Sequence, residues 1–224
     1  MKTSKIAPHI ESTNLKLDST DAELCALCDE AAELGFAAVC IYPANVNICS
    51  NILYNTPVQV ATVISFPHGR SSLAAKRAEV LEAREQGASE VDLVINYNNL
   101  RVGEKGLAAD EAATLCEVAR EVGLVTKIVI EAGELKKKQK LHALSICEQA
   151  KADFIQTATG FGSSETELED VDLFHKKRSK KIKIKAIGRI QNMDHALQII
   201  EAGASRLGIS QASRFLREAK KQAN

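Results

Sequence analysis

One recurring phrase constrains the fold of this chain more than any other feature. A helix-like segment ends in glycine, and a short β-branched strand follows almost at once. Glu30–Gly35 precedes Ala37–Tyr42, and Glu82–Gly87 precedes Val91–Ile95. Glu117–Gly123 leads into Val125–Ile130, and Ile199–Gly203 into Arg206–Ile209. Glycine past a helix end accepts the left-handed backbone that stops the helix and turns the chain. Helix, short turn and strand in repetition is the pattern of parallel β/α units. Apolar runs between the stops predict strands at Ile10–Leu15, Ala37–Tyr42, Val58–Phe66, Glu90–Asn96, Val125–Glu131, Asp153–Ala158, Ile182–Ile187 and Arg206–Ile209. Ala74–Glu85, Ala108–Glu121 and Leu135–Lys151 carry helical spacing, as does Ala22–Leu34. Thr20-Asp21-Ala22-Glu23 and Ser164-Glu165-Thr166-Glu167 read as capping boxes that start helices. Eight strands alternating with helices predict a closed (β/α)8 TIM barrel, one domain over residues 1–224. An open doubly wound sheet is the alternative, and no G-x-G-x-x-G opens a helix to support it. The length of 224 residues suits a trim barrel, since such folds take about 250.

Lysine plus arginine balance aspartate plus glutamate at 29 each, so no global field draws the chain to nucleic acid or to an anionic membrane. The basic run Lys176–Lys181 reads as a solvated helix end, where cations suit the helix dipole, and Lys136–Lys138 is read the same way. Cys25 and Cys28 form a C-x-x-C inside a helical pattern with no second ligand pair nearby. Free thiols, no metal and no cofactor are therefore expected of Cys25, Cys28, Cys40, Cys49, Cys116 and Cys147. Met1–His9 has no apolar signal region, and no apolar run reaches ~18 residues. A reducing cytoplasm fits this cysteine usage.

Barrel enzymes draw their functional residues from the C-terminal strand ends and the loops beyond. Charged residues inside strands are therefore informative, because burying charge is costly unless it is paired or used. Asp92 interrupts Glu90–Asn96, sharing a face with Val94 and Asn96. Lys127 shares a face with Glu131, and Lys183 with Lys185. Two readings stand for these residues: a catalytic group, or an Asp92–Lys127 ion pair with Lys183 snorkelling at the lower rim. Glycine-rich turns follow the last strands at Thr159–Ser164, Ile187-Gly188-Arg189 and Gly208-Ile209-Ser210-Gln211. Converging backbone N–H groups and a helix start would suit a phosphate there; tight βα turns without a ligand are the plainer reading.

These pieces, with Ala38–Pro43, Ala61–Gly69, Lys127–Leu135 and Ala152–Gly162, resemble the deoxyribose-phosphate aldolase family over nearly the whole length. The resemblance implies a (β/α)8 barrel that joins acetaldehyde to glyceraldehyde 3-phosphate reversibly, through a lysine imine and without metal. It implies that Asp92 is the acid/base aspartate and Lys185 the second active-site lysine, with Lys127 a further lysine of the motif. Gly160, Gly188 and Ser210 match positions that cradle the substrate phosphate, and Cys40 a cysteine near the substrate. The family often forms homodimers.

Departures gather at the same place. Gln156 stands where the family carries its imine-forming lysine, and a carboxamide nitrogen, its lone pair delocalised into the carbonyl, is no nucleophile. Ile187 occupies a small-residue position, Arg189 replaces the second glycine of a Gly-Gly, and Gln211 replaces a serine or glycine. Glu11–Leu17 departs from Asp-His-Thr-x-Leu-Lys-Pro. Three functions follow as expectations. One is a lyase with Lys185 as the amine, Asp92 moving the proton and Arg189 helping to hold phosphate. Another is a non-catalytic relative that binds a sugar phosphate or other small anion, with Gln156 as a hydrogen-bonding group. The last is a different barrel enzyme using Asp92, Glu131 and Lys127 on another carbonyl substrate.

Overall fold

In the computed structural model the described residues are 6–162, 167–188, 190 and 192–222. Eight parallel strands close into a barrel in chain order: β1 (Ile10–Asn14), β2 (Ala38–Ile41), β3 (Gln59–Ile64), β4 (Glu90–Val94), β5 (Val125–Val129), β6 (Phe154–Gln156), β7 (Lys183–Ile187) and β8 (Arg206–Ser210). β8 pairs back onto β1, with Glu11 opposite Gly208 and Thr13 opposite Ser210. The expected (β/α)8 TIM barrel is therefore the fold, and the open-sheet alternative is excluded.

The helices surround the strands: α1 (Asp21–Leu34), α2 (Val46–Leu53), α3 (Leu73–Glu85), α4 (Tyr97–Val102), α5 (Lys105–Glu121), α6 (Lys137–Gln149), α7 (Leu168–Lys177), α8 (Met193–Glu201) and α9 (Ala212–Gln222). Thr20 caps α1 in a reciprocal box with Glu23, and Gly35 ends that helix at φ 72°. The second expected box, at 164–167, lies outside the described residues except for Glu167, which holds the N-cap position of α7. Lys176 and Lys177 occupy the last turn of α7, as expected of a solvated helix end. Lys136–Lys138 is exposed but lies at the start of α6, so the dipole argument does not extend to it.

Strand alternation divides the apolar residues into two sets. Val39, Ile41, Val91, Leu93, Ile128, Ile155, Ile184 and Leu207 face outward and pack with the helices in the main core. Cys40, Ala61 and Val63 face inward, with Leu15, Tyr42 and Phe66 above them. The rest of the interior is largely polar, which the outward core makes affordable.

Several strands stop short of their apolar runs because side chains take over the backbone groups at the mouth. β4 ends at Val94: buried Lys76 donates to the carbonyls of Val94 (2.9 Å) and Gly69 (2.7 Å) and pairs with Glu111. Glu111 in turn accepts from the Asn96 N–H at 3.0 Å. β3 ends at Ile64, where Ser65 turns to φ 55° and donates its N–H to Glu79 at 2.6 Å. β5 ends at Val129, and Glu131 adopts φ 49°.

Candidate active site

Registers put Glu11, Cys40, Ala61, Glu90, Asp92, Lys127, Gln156, Lys185 and Arg206 on the inner face of neighbouring strands. Three cations and three carboxylates among them form one buried lattice. Lys127 Nζ lies 2.9 Å from Asp92 Oδ1, 2.8 Å from Glu90 and 3.2 Å from Glu11. Lys185 Nζ lies 2.6 Å from Asp92 Oδ2 and also pairs with Glu11. Arg206 pairs with Glu90 and reaches Glu11 at 3.3 Å. Lys127 and Lys185 are wholly buried, and Asp92 is 1% exposed.

Such charges persist out of water only because each has opposite partners within hydrogen-bond reach. Burial works against the charge of Lys127, yet Asp92, Glu11 and Glu90 hold its pKa well above the usual lysine value. Burial likewise opposes ionisation of Glu11, and Lys127, Lys185 and Arg206 overcome it, so its carboxyl stays well below the usual range. The Cys40 thiol, 3.9 Å from Asp92, is pushed well up by burial and then by that carboxylate. It is a neutral thiol at pH 7. Ligand atoms of Glu11, Cys40 and Asp92 lie within 4.8 Å of one another, but the two ammonium groups already neutralise both carboxylates. Phe154 closes the floor of the barrel, with Arg206 at 5.2 Å and Lys183 at 5.4 Å from its ring centroid.

Gln156 sits beside Lys185 in register and is 1% exposed. Its Nε2 donates to the Ala158 carbonyl at 3.1 Å, and its Oε1 has no partner among the described residues. Glu131 lies beyond the end of β5, so the shared face expected of a continuous strand does not extend to it. Its left-handed backbone turns the carboxylate to accept from the N–H and hydroxyl of Thr159, at 3.1 and 2.7 Å. Lys183 is exposed at the lower rim, as the plainer reading had it.

At the C-terminal mouth of β1, β6, β7 and β8 lies an open cavity of about 1140 Å³. Gly160, Gly188 and Ser210 line it, with the start of α9 at Ser213 and Arg214 and a flank of Asn14 and Lys16. Phe161 stands 5.1 Å edge-on from Phe66 and adds an aromatic wall. The structure thus brings Asp92, Lys127, Lys185 and Cys40 together inside the barrel, and Gly160, Gly188 and Ser210 together at the mouth. Gln211, also at the rim, adopts φ 54°. Arg189 lies outside the described residues.

Comparison with known proteins agrees with this architecture. A family description, DeoC/LacD family aldolase, matches residues 9–223. The chain belongs to this aldolase family. Within it, the chain is similar to the deoxyribose-phosphate aldolase of Caldicellulosiruptor saccharolyticus, 43% identical over 94% of this chain and 96% of that one. The corresponding aldolase of Thermococcus kodakarensis is 39% identical over 94% and 95% of the two chains. Among solved structures, the aldolase QR15 superposes with a TM-score of 0.90 at 32% identity, covering 97% of each chain. The tetrameric deoxyribose phosphate aldolase of Aeropyrum pernix gives 0.91 at 26%, covering 99% of this chain and 93% of that one.

Three members of the aldolase barrel's buried lattice escaped the sequence reading: Glu11, Glu90 and Arg206. The signal was present, since each is a charged residue inside a predicted strand and in phase with Asp92 or Lys185. In the sequence Glu11 stands out only as part of an altered motif. Glu90 and Arg206 begin their strands and pass for rim residues until barrel closure sets them beside Lys127. Among the described residues no helix is long and apolar enough to cross a membrane.

Proposed function

We propose that this aldolase-family barrel binds a small phosphorylated sugar or aldehyde at its mouth and does not run the imine-based carbon–carbon lyase reaction of deoxyribose-phosphate aldolase. The observation that carries the reading is Gln156: a buried amide beside Lys185, tied to the Ala158 carbonyl, offers no lone pair to a carbonyl carbon. Lys185 does not stand ready in its place. Its Nζ is engaged by two carboxylates and has no exposure to the cavity. In this reading Gly188, Ser210 and the first N–H groups of α9 receive the anionic group, where the helix dipole favours it. Gly160 flanks that group, and Cys40, as a neutral thiol, takes no chemical part.

A second reading keeps lyase activity, with Lys185 as the amine and Asp92 moving the proton. Two facts favour it: Lys185 is the register neighbour of Gln156, and Asp92 already lies 2.6 Å from its nitrogen. Lys127 would then hold Asp92 in place from its other oxygen.

Turnover of 2-deoxyribose 5-phosphate, with a thermal-shift series of sugar phosphates, tests the pair. Stabilisation without aldehyde release supports binding; release of acetaldehyde and glyceraldehyde 3-phosphate supports the second reading. The proposal includes a cytoplasmic location and assembly into a homodimer; sedimentation reads the latter directly.

A further inference from the structure

We infer that Ile187 is a gate residue: its side chain closes the barrel mouth above Lys185, so that ligands in the cavity meet an apolar floor and do not reach the charged lattice. The argument begins with two glycines. A Cβ built on Gly208 would lie 2.7 Å from Ile187 Cγ1, 2.9 Å from its Cδ1 and 3.6 Å from Lys185 Cε. A Cβ on Gly160 would lie 3.3 Å from Ile187 Cγ2. The isoleucine therefore leans across the mouth from β7 over Gly208 on β8, and touches the β6 loop at Gly160.

Register explains the stacking. Ile187 pairs with Gly208, and Lys185, two residues earlier on the same face, pairs with Arg206. Both long side chains use the space that Gly208 leaves by having none. Gly160 and Gly208, which the sequence offers as parts of an anion cradle, thus have a packing reason to be glycine. A β-branched side chain on a strand has few rotamers to escape into, so this closure is stiff. Ile187 lines the 1140 Å³ cavity while Lys185 beneath it is wholly buried. The ligand class follows from this floor. A small ligand places its anionic group at the rim near Gly188 and Ser210, and its carbon skeleton against Ile187.

The inference concerns access and stands whether or not the protein turns over substrate. The test is reductive methylation of the intact protein with formaldehyde and cyanoborohydride, mapped by peptide mass. Wild type, Ile187→Ala and Ile187→Val are compared, each alone and with Asp92→Asn, which removes one carboxylate from Lys185. Labelling of Lys185 is expected to rise at least tenfold from wild type to Ile187→Ala, with Ile187→Val between. Exposed lysines such as Lys176 serve as the internal reference. Equal labelling of Lys185 in wild type and both variants, in both backgrounds and with unchanged circular dichroism, would overturn the gate. Imine formation with substrate in wild type would instead count against the proposed function, and is read separately by turnover.

Discussion

Replacing Lys127 with methionine tests whether the interior lattice is balanced as the geometry implies. Lys127 faces Glu90, Asp92 and Glu11 at 2.8, 2.9 and 3.2 Å, and its side chain has no exposure. Methionine fills most of the same volume, so packing loss is small. Three carboxylates would then share Lys185 and Arg206, leaving one buried negative charge in excess of the cations around it. Breaking a buried pair in this way costs about 3–5 kcal/mol, a large part of the roughly 5–15 kcal/mol that stabilises a domain. The pH dependence gives a sharper signature. In wild type the depressed Glu11 carboxyl contributes stability that is present above its ordinary value of 4.5 and lost as pH falls through the lower folded value. In the variant, the excess negative charge raises the folded value of one carboxyl, so between 4.5 and that value the native state holds one more proton than the unfolded chain. Its unfolding free energy therefore rises as pH falls through that window, by up to about 1.4 kcal/mol per unit. Urea unfolding at several pH values reads both effects. A loss below about 1 kcal/mol at pH 7, or parallel pH profiles for the two proteins, would refute the lattice.

Other substitutions test separate parts of the structure. Gly208→Ala should destabilise by about 1–3 kcal/mol through collision with Ile187. Most of that loss should return in the double variant with Ile187→Ala, a coupling measurable by denaturant unfolding. Lys76→Met should cost about 3–5 kcal/mol, because Glu111 and two buried carbonyls lose their shared donor. Cys40 should resist iodoacetamide at pH 8 in the folded protein and react once urea exposes it, since burial and Asp92 keep its thiol protonated. Mass spectrometry of the Cys40 peptide decides that point.

The barrel was legible because helix stops and β-branched runs are local signals, and chain-order closure follows from their alternation. Strand ends were less legible. Glu90–Asn96 is apolar enough to continue, but Lys76 and Glu111, from distant helices, claim the backbone groups at Val94 and Asn96. The inward phase of Asp92, Lys127 and Lys185 was readable from alternation alone. The Asp92–Lys127 pair was legible too and is present; their other partners were not, because Glu11 and Arg206 are 195 residues apart and meet only when β8 closes on β1. Glycine at Gly160 and Gly208 has the same sequence signature whether it admits a phosphate or a neighbouring isoleucine, and the placement of Ile187 is what separates the two.

The account rests on the absence of an available amine at the centre of the barrel. Incubating the wild-type protein with acetaldehyde, reducing with borohydride and mapping the modified peptides tests this directly. The expected result is no adduct at Lys185 or Lys127, with only exposed lysines modified. A stoichiometric adduct on Lys185 would contradict it and establish that the barrel interior still presents a nucleophile.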